Sequence, residues 1–487
     1  MRWHDKERTK DGLLRHPADS PNWKHIDSEH PEFSGDSRNV RLALATDGFN
    51  PFGSLHSSHS TCPVLLIPYN LPPWMIMKQD NFIVSSLISG PKSPGNDIDV
   101  YLEPLIEDLE LLWRKGIWTY DASQREFFLM KAAILCIIAN FPGLGYAHGC
   151  PTSGDVAFPE CHSETSFLRL KNGTKTCYMG HRRFLDENHM FRLDKKQFEA
   201  EEVRVAPSPR SREDILKQTE NLNVVFGKDP SGNKPTKKRK KGDPPILWKK
   251  KSIFFRLPYW KDLLLRHNLD VMHIEKNVCD TIFNTLLGIA GKSKDNLNSR
   301  YDVRDLKIRK DLHPYEVEGK IYIPRGPYYL TPEQKKILCE WLKGVKFLDG
   351  YASNISCRVD VNAKKLVGLK SHDNHILLQQ FLPIAIRGIF PEGVVIALTR
   401  VSNFFKIIYS PVVRISDMQQ LEEEIAKTLS ILETIFPPSF FDSMVHLMVH
   451  LPSQVRLGGT VQSRNMYPVE RYNLKKHLYE NMHLVYA

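Results

Sequence analysis

The sequence predicts an α/β protein whose core is interrupted by an insert and followed by a mainly helical C-terminal domain. Apolar runs bounded by turn residues occur over 39–89, and such runs are typical of strands. A stripe of apolar residues with helical spacing follows over 97–116, and further helical stripes dominate 372–487. Together these three patterns predict the α/β class.

The bulk composition sets limits on the class of protein. A chain of 487 residues, of which 41% are hydrophobic, is long enough for two or three domains with sizeable cores. No apolar run reaches the roughly 18–20 residues of a membrane-spanning helix, and the charged start lacks the apolar segment of a secretory signal. Eight cysteines are too few for a disulfide scaffold at this length, which favours a reducing compartment.

The first part of the chain predicts a specific order of elements. In chain order they are a polar, extended arm (1–38), three strands (39–46, 61–69 and 81–89), a helix (97–116), a short strand (117–121) and a buried segment that is either strand or helix (127–141). Three strands, a helix and another strand, with acids at strand ends, is the order of a ribonuclease-H-like core. Residues 39–141 are therefore predicted to form the first part of such a core.

The pattern breaks after residue 141. Residues 142–251 predict an insert rich in cysteine and histidine followed by a basic, disordered linker. Apolar residues return at 252–291, where a helix beginning near His267 is predicted to complete the core. Residues 292–371 form a connecting region, and 372–487 the helical C-terminal domain.

The strand at 39–46 runs directly into Asp47 in the segment LALATDGFNPFG. Turn chemistry explains an acid at this position, but the carboxyl ends of strands in open α/β sheets also present ligands. Three carboxylates can hold two divalent cations for phosphodiester chemistry, and oxygen ligands suit Mg²⁺ or Mn²⁺. Asp47 is the first candidate. The candidates for the second carboxylate are Asp121, Asp97 and Asp99, of which the last two also suit helix caps, and those for the third are Asp270 and Glu275.

Cysteine and histidine residues concentrate between 150 and 181. They can supply a four-coordinate zinc site because thiolate and imidazole suit zinc; the alternative is that the free cysteines simply pack in a core. The predicted ligands are Cys150, Cys161, Cys177 and His181, with His162 as a further member of the group. Further along, HLMVH places His446 and His450 one helical turn apart but lacks the Glu of a zinc-protease HExxH, so ordinary helix histidines are predicted there.

Net charge is +11, and the surplus is unevenly placed. The segment 234–251 holds nine basic residues, including Lys237, Lys238, Arg239, Lys240 and Lys241. Such a cluster indicates a nuclear-import signal or a nucleic-acid contact, with a solvated charged linker as the alternative.

Several longer segments carry a family likeness. They are LRHPADSPNWKHID, LATDGFNPFG, LISGPKSPGNDIDVYLEPLIEDLELLW, CYMGHRRFL, DVMHIEKNVCD and MVHLMVHLPSQVRLGGTVQSRNMYPVERY. In the same order, these segments resemble the plant CACTA (En/Spm-like) transposase family. The likeness covers about 1–290 as the catalytic region and about 370–480 as the domain of unknown function that usually follows it.

The resemblance implies a DDE/D transposase with a ribonuclease-H-like fold, which cuts and rejoins DNA with two divalent cations, Mg²⁺ or Mn²⁺. It implies transposon terminal repeats as the DNA partner, a nuclear location, and an accessory transposon protein and a second copy of the chain as further partners. Asp47 matches the first acid, Asp121 is a candidate for the second, and Asp270 or Glu275 matches the third, with Glu275 preferred.

At two positions the chain departs from that family. Asn140 stands in IIANFPGLG where relatives have an acid, and Phe158 stands in AFPEC where the family has a cysteine, a loss for which Cys150 can substitute. The chain also begins inside the family's usual sequence. These departures imply a truncated or decayed copy, and they leave two functions: a transposase, or an inactive nuclear DNA-binding or protein-interaction protein on the same scaffold.

Overall fold

The computed structural model describes residues 1–50, 59–198, 200–222, 224, 226–227, 245–346 and 354–470. Within these residues a mixed sheet is surrounded by helices, which confirms the α/β class. The strands are β1 (Val40–Thr46), β2 (Cys62–Pro68), β3 (Ile83–Ile88), β4 (Ile117–Asp121), β5 (Glu126–Met130), β6 (Ala132–Ala139), β7 (Leu168–Arg169), β8 (Thr176–Cys177), β9 (His267–Leu269), β10 (Tyr315–Val317), β11 (Lys320–Tyr322), β12 (Val359–Asp360) and β13 (Lys365–Leu366).

The central sheet has five strands in the order β3-β2-β1-β6-β9. The pairs β1–β2 and β2–β3 are antiparallel, whereas β1–β6 and β6–β9 are parallel. In the parallel part, Ala45 is opposite Ile138 and Ala139 is opposite Leu269. The carboxyl ends of β1, β6 and β9 therefore meet at one edge of the sheet.

Helices cover this sheet and build the rest of the molecule. They are α1 (Trp3–Lys6), α2 (Pro21–Glu29), α3 (Pro31–Ser34), α4 (Pro73–Ile76), α5 (Ile98–Arg114), α6 (Phe141–His148), α7 (Met190–Leu193), α8 (Lys195–Phe198), α9 (Arg212–Thr219), α10 (Val271–Leu286), α11 (Leu297–Asp305), α12 (Pro332–Gly344), α13 (Ser371–Ile376), α14 (Leu382–Ala385), α15 (Glu392–Ile408), α16 (Ile415–Ile435), α17 (Ser443–Leu447), α18 (Leu451–Gly458) and α19 (Tyr467–Glu470). A π-helix, Leu377–Phe381, joins α13 to α14.

The sequence of β6 is apolar along its whole length because the strand is buried. All eight of its residues are buried, as expected for a parallel strand covered on both faces. The predicted helix at 97–116 is confirmed as α5, which turns Leu102, Ile106 and Leu109 into the core at helical spacing.

Three local predictions differ from the structure. Residues 1–38 are not an extended arm: the Ser20 side chain caps α2, and α2 buries Trp23 and Ile26. The ambiguous segment 127–141 is divided at Lys131 between the strands β5 and β6, and β5 forms a separate hairpin with β4. The predicted start of a helix at His267 is instead β9, because its backbone groups pair with β6 before the helix begins.

The C-terminal helices share one continuous hydrophobic core with the sheet, from Leu14 to Val469. An antiparallel bridge joins Leu14 to Val413, and the Tyr178 N–H donates a hydrogen bond to the Phe441 carbonyl. In the part of the chain that the structure describes, helices sufficiently long and apolar to cross a membrane do not occur.

Candidate functional site

Asp47 and Asn140 lie side by side where two parallel strands end. Asp47 directly follows β1, and Asn140 directly follows β6. The Asn140 Nδ2 amide donates a 2.6 Å hydrogen bond to Asp47 Oδ1, and the Gly48 N–H donates one of 2.8 Å to the same oxygen. Burial raises the pKa of Asp47. The position at which the resemblance expects an acid therefore contacts Asp47, but it holds an amide.

Asn140 also has a local structural role. Its Oδ1 accepts a 2.8 Å hydrogen bond from the Gly143 N–H, so the side chain caps the N-terminus of α6. Asp and Asn are about equally good in this capping position. An amide in place of the acid that the resemblance expects thus keeps this cap but supplies no negative charge beside Asp47.

Asp270 is the third polar residue at this edge. It follows β9 and caps α10, where its Oδ1 accepts a 3.1 Å hydrogen bond from the Met272 N–H. The residue is 2% exposed, and its Oδ2 is buried without a hydrogen-bond partner in the described structure. Burial, and then the negative charges of Glu470 and Asp47, raise the pKa of Asp270 to about 8.

Asp270 forms a carboxylate cluster with His273 and Glu470. One ligand atom from each of these three residues lies within 4.8 Å of the other two. Burial lowers the pKa of His273, which favours the neutral imidazole that binds metals. Two carboxylates and an imidazole are a donor set for a divalent cation, and such a cation would satisfy the buried Oδ2 of Asp270.

Glu275 lies one turn further along α10 and has other partners. Its two carboxylate oxygens lie 2.8 Å from His375 Nδ1 and 2.8 Å from Gln379 Nε2. The structure thus separates the two predicted third acids: Asp270 interacts with the charge of Asp47, whereas Glu275 contacts α13 and the π-helix.

Asp121 lies far from Asp47. It ends β4, and its carboxylate forms a 3.4 Å ion pair with Arg38, which precedes β1, whereas Asp47 follows β1. A strand of that length separates its ends by roughly 20 Å. The alternatives are also engaged elsewhere: Asp99 forms a buried ion pair of 2.5 Å with Lys250, and Asp97 accepts a hydrogen bond from the Gly227 N–H.

A second cluster, the Cys–His cluster, consists of Cys161, His446 and His450. Cys161 Sγ lies 3.4 Å from His446 Nε2 and 3.3 Å from His450 Nε2, and the two nitrogens are 3.3 Å apart. Tetrahedral zinc with ordinary bond lengths separates its sulfur and nitrogen ligands by roughly 3.3–3.6 Å. The three distances therefore fit three ligands of one zinc ion.

The Cys–His cluster is buried, and this controls its protonation. Burial raises the pKa of the Cys161 thiol and lowers the pKa of both His446 and His450. Both histidines are therefore neutral, as a metal requires, and the thiol would release its proton to a metal. His181 supports the cluster, since its Nε2 lies 3.1 Å from His446 Nδ1 and its Nδ1 lies 2.6 Å from the Glu433 carboxylate.

The four predicted zinc ligands do not come together. Cys161 joins the two histidines of HLMVH, and His181 contacts His446 from the far side. Cys150 lies 3.0 Å from His148, in a separate small cluster with Trp248. Cys177 donates to the Leu168 carbonyl. The expected substitution of Cys150 for the cysteine replaced at position 158 is therefore not seen.

Phe158 borders the Cys–His cluster. Its buried ring lies 4.2 Å from the His446 ring and 5.7 Å from the Phe141 ring, measured between centroids. It precedes Cys161 by three residues. A cysteine here would stand beside the three ligands, so Phe158 fills with hydrocarbon the side from which a fourth ligand could approach.

Two signals in the sequence were missed or misread. The spacing of His446 and His450 suits two ligands of one metal, even without the Glu of a protease motif. Glu470 belongs to the segment MYPVERY, which carried the resemblance but was not considered as a source of acids. The basic residues 237–241 lie outside the described residues.

The comparisons with known proteins divide the chain into two matched parts. Residues 11–222 match the model of the transposase family tnp2, and residues 408–483 match a domain of unknown function, DUF4218. No curated protein matches the chain. The first match contains Asp47, Asn140 and Cys161, and the second contains both cluster histidines and Glu470. Residues 11–222 are thus similar to the transposase family tnp2, and DUF4218 follows that region, as the resemblance predicted.

Proposed function

We propose that this protein is a transposon-derived transposase of the CACTA (En/Spm-like) type, which acts on DNA in the nucleus by metal-dependent cleavage and strand transfer. The observation that carries the proposal is the placement of Asp47, Asp270 and Glu470 around one sheet edge, in a chain whose residues 11–222 match a transposase family. Net charge of +11 is consistent with a polyanionic partner.

The sheet supports a ribonuclease-H-like core. Its order β3-β2-β1-β6-β9 consists of an antiparallel meander of three strands, to which two strands are added in parallel next to the first. The helix α5 lies between the meander and β6 in the chain, as in that fold. In such a core β9 is the last strand. The helices α10 to α18 then lie between β9 and α19 in the chain, and α19 places Glu470 at the sheet edge.

The carboxylates fit a divalent cation. When bound, divalent cations in such sites activate water and stabilise the leaving oxygen of a phosphodiester. Asp270 and Glu470 would hold a cation together with His273, and Asp47 would face it from the end of β1. Because the pKa of Asp270 is raised to about 8, a cation must displace its proton at neutral pH, which makes occupancy pH-dependent.

Asn140 favours a second function, an inactive DNA-binding protein on the same scaffold. An amide supplies no negative charge, and its Nδ2 donates to the Asp47 oxygen that a second cation would need. A single cation at the carboxylate cluster is consistent with this arrangement, whereas a pair of cations is not.

The decisive experiment compares four versions of the full chain: the natural sequence, Asn140→Asp, and Asn140→Asp combined with Asp47→Ala or with Glu470→Gln. Nicking of a supercoiled plasmid that carries the DNA flanking this coding sequence is measured with Mn²⁺ and with Mg²⁺. We expect Asn140→Asp to nick at least tenfold faster than the natural sequence, and both double variants to lose that gain.

Binding of the same DNA at low salt separates the two functions. Binding without nicking by the natural chain, with nicking restored in Asn140→Asp, would assign the inactive function to this copy. Nicking that persists unchanged in both double variants would overturn the proposed site. Absence of DNA binding by all four proteins would overturn the function itself.

We further propose that the Cys–His cluster holds one zinc ion, which fixes the C-terminal helices to the insert. Zinc would be held by Cys161, His446 and His450, with His181 orienting His446 from behind. The test is metal analysis of protein purified without chelator. We expect about one zinc per natural chain and none in Cys161→Ser, with Cys357→Ser, an exposed cysteine, as the matched control. Equal zinc content in all three would overturn this proposal.

A further inference from the structure

A cavity of about 300 Å³ opens beside the carboxylate cluster. Its wall includes Met272 and Glu275 from α10 and Tyr467 from α19. The same two helices present His273 and Glu470 to the carboxylate cluster. The cavity and the candidate cation site therefore share their supporting elements and are neighbours.

Aromatic rings form part of the wall. Tyr409, Tyr467 and His375 line the cavity, and the rings of Tyr409 and His375 meet edge to face with centroids 4.8 Å apart. A planar guest can stack on such rings, and every nucleobase has a face suited to this contact.

Polar groups accompany the rings. The carboxylate of Glu275 is held by His375 and Gln379, so it is a fixed acceptor. Asn465 uses its Oδ1 to accept a 3.0 Å hydrogen bond from the Tyr467 N–H, which orients the amide at the cavity wall. Fixed carboxylate and amide groups are the kind that read the hydrogen-bonding edge of a base.

The charge of the wall argues against a phosphate. Lysine and arginine are absent from the described residues that line this cavity, whereas Glu275 contributes a carboxylate. A phosphate would be repelled here and attracted instead to a cation at the carboxylate cluster. The volume lies at the lower limit of small-ligand sites, about 300–1,000 Å³, which suits one ring system and not a folded strand.

We propose that this cavity receives a single unpaired base of the DNA strand whose phosphate lies at the carboxylate cluster. The inference rests on the proposed function as far as DNA is the partner, but it does not require cleavage. The stack of a duplex hides the base faces, so the cavity would select DNA with an unpaired or extruded nucleotide next to the reacting position.

The test uses the full chain and a DNA duplex with one 5-iodouracil, either unpaired in a single-nucleotide bulge or paired with adenine. After irradiation, crosslinked peptides are identified by mass spectrometry. We expect the bulged probe to crosslink to Tyr409, Tyr467 or His375 at least fivefold more efficiently than the paired probe. Crosslinks that map elsewhere, or that are equal for both probes, would overturn the inference.

Two variants and one control complete the design. Tyr467→Ala should lower the preference for the bulged over the paired probe at least fivefold, whereas Tyr467→Phe should keep it because the ring is retained. Tyr315→Ala, at an exposed tyrosine on β10, is the matched control and should leave the preference unchanged. A preference that survives Tyr467→Ala would overturn the inference. Failure of every protein to bind either probe would instead overturn the proposed DNA-binding function, and this inference with it.

Discussion

The carboxylate cluster and the Cys–His cluster are built in the same way but in opposite surroundings. Each joins a residue from an earlier part of the chain to residues of the C-terminal region: Asp270 to Glu470, and Cys161 to His446 and His450. The Cys–His cluster is buried throughout, whereas the carboxylate cluster extends from buried Asp270 to exposed Glu470.

This difference in burial suits the two clusters to different roles. A closed cluster of sulfur and imidazole suits a structural ion that never meets a substrate, whereas an open cluster of carboxylates suits a cation that must reach one. Each site also has one neighbour that departs from the expected pattern, Phe158 in the closed site and Asn140 at the open edge. Substitution at these neighbours can test the contrast.

The largest expected effect concerns Asp270. Its folded-state pKa of about 8 lies above the unfolded value of about 3.9, so the folded chain holds one more proton between these pH values. The free energy of unfolding therefore falls as pH rises through this window, by about 1.4 kcal/mol per pH unit from this group. Asp270→Asn should remove this component, so its stability relative to the natural chain should grow from pH 5 to pH 7 by about 3 kcal/mol.

Urea unfolding at several pH values measures the effect of Asp270→Asn. Other titrating groups are shared by both proteins and cancel in the difference. Parallel pH dependences would contradict the raised pKa. Mn²⁺ at neutral pH should stabilise the natural chain more than Asp270→Asn, since the amide removes one of the two negative charges that would hold the cation.

The next largest effect is expected at Phe158, beside the Cys–His cluster. Phe158→Cys should place a second thiolate beside the Cys–His cluster, as a fourth ligand, and slow the removal of zinc by a chelator at least tenfold. Loss of the ring leaves a cavity, so the variant without zinc should be less stable than the natural chain. Phe158→Ala makes the same cavity without a ligand and is the control. Equal zinc release from Phe158→Cys and Phe158→Ala would contradict the placement of position 158.

A smaller effect is expected at Asn140, beside Asp47 at the sheet edge. Asn140→Asp keeps the cap of α6 but puts a second carboxylate against Asp47, which should lower thermal stability without a cation and enlarge the rise in Tm on adding Mn²⁺. We expect the apparent affinity for Mn²⁺ to increase about tenfold over the natural chain. Asn140→Ala removes the same hydrogen bond and should show no such gain. A gain of equal size in Asn140→Ala would show that relief of the hydrogen bond, and not the new charge, is responsible.

The smallest effect is expected at Asp121. Its carboxylate pairs with Arg38 at the opposite end of β1 from Asp47, so Asp121→Asn should leave the binding of Mn²⁺ and zinc unchanged. Titration with each metal, followed by the shift in Tm, checks this. A change in either affinity would mean that Asp121 reaches a metal site after all.

The sheet was largely predictable from the sequence because its signals are local. The apolar runs of β1, β2 and β3 were predicted as strands, whereas the run that contains β6 was left open between strand and helix; an acid or amide directly after β1 and β6 marks their carboxyl ends. Strand β9 has only three residues, and its pairing with β6 comes from contacts distant in sequence, so a local pattern could not distinguish it from the start of α10.

The sites were less predictable because their members are far apart in the chain. Cys161 and His450 are separated by 289 positions, and no spacing rule covers such a distance. The sequence placed both Asp270 and Glu275 near the start of one helix, and the resemblance preferred Glu275. Only the packing of α13 and the π-helix against Glu275, and of α19 beside Asp270, separates their roles.

Each of the two clusters combines residues from the first part of the chain with residues near its end, which matters for protein synthesis. While the ribosome is still adding residues, Cys161 and Asp270 are already available, but His446, His450 and Glu470 are not. Neither residue cluster can therefore be completed until the C-terminal region has been made, and a transcript truncated before DUF4218 would yield a product with both clusters incomplete. The proposed chemistry on DNA therefore requires that translation has passed that region.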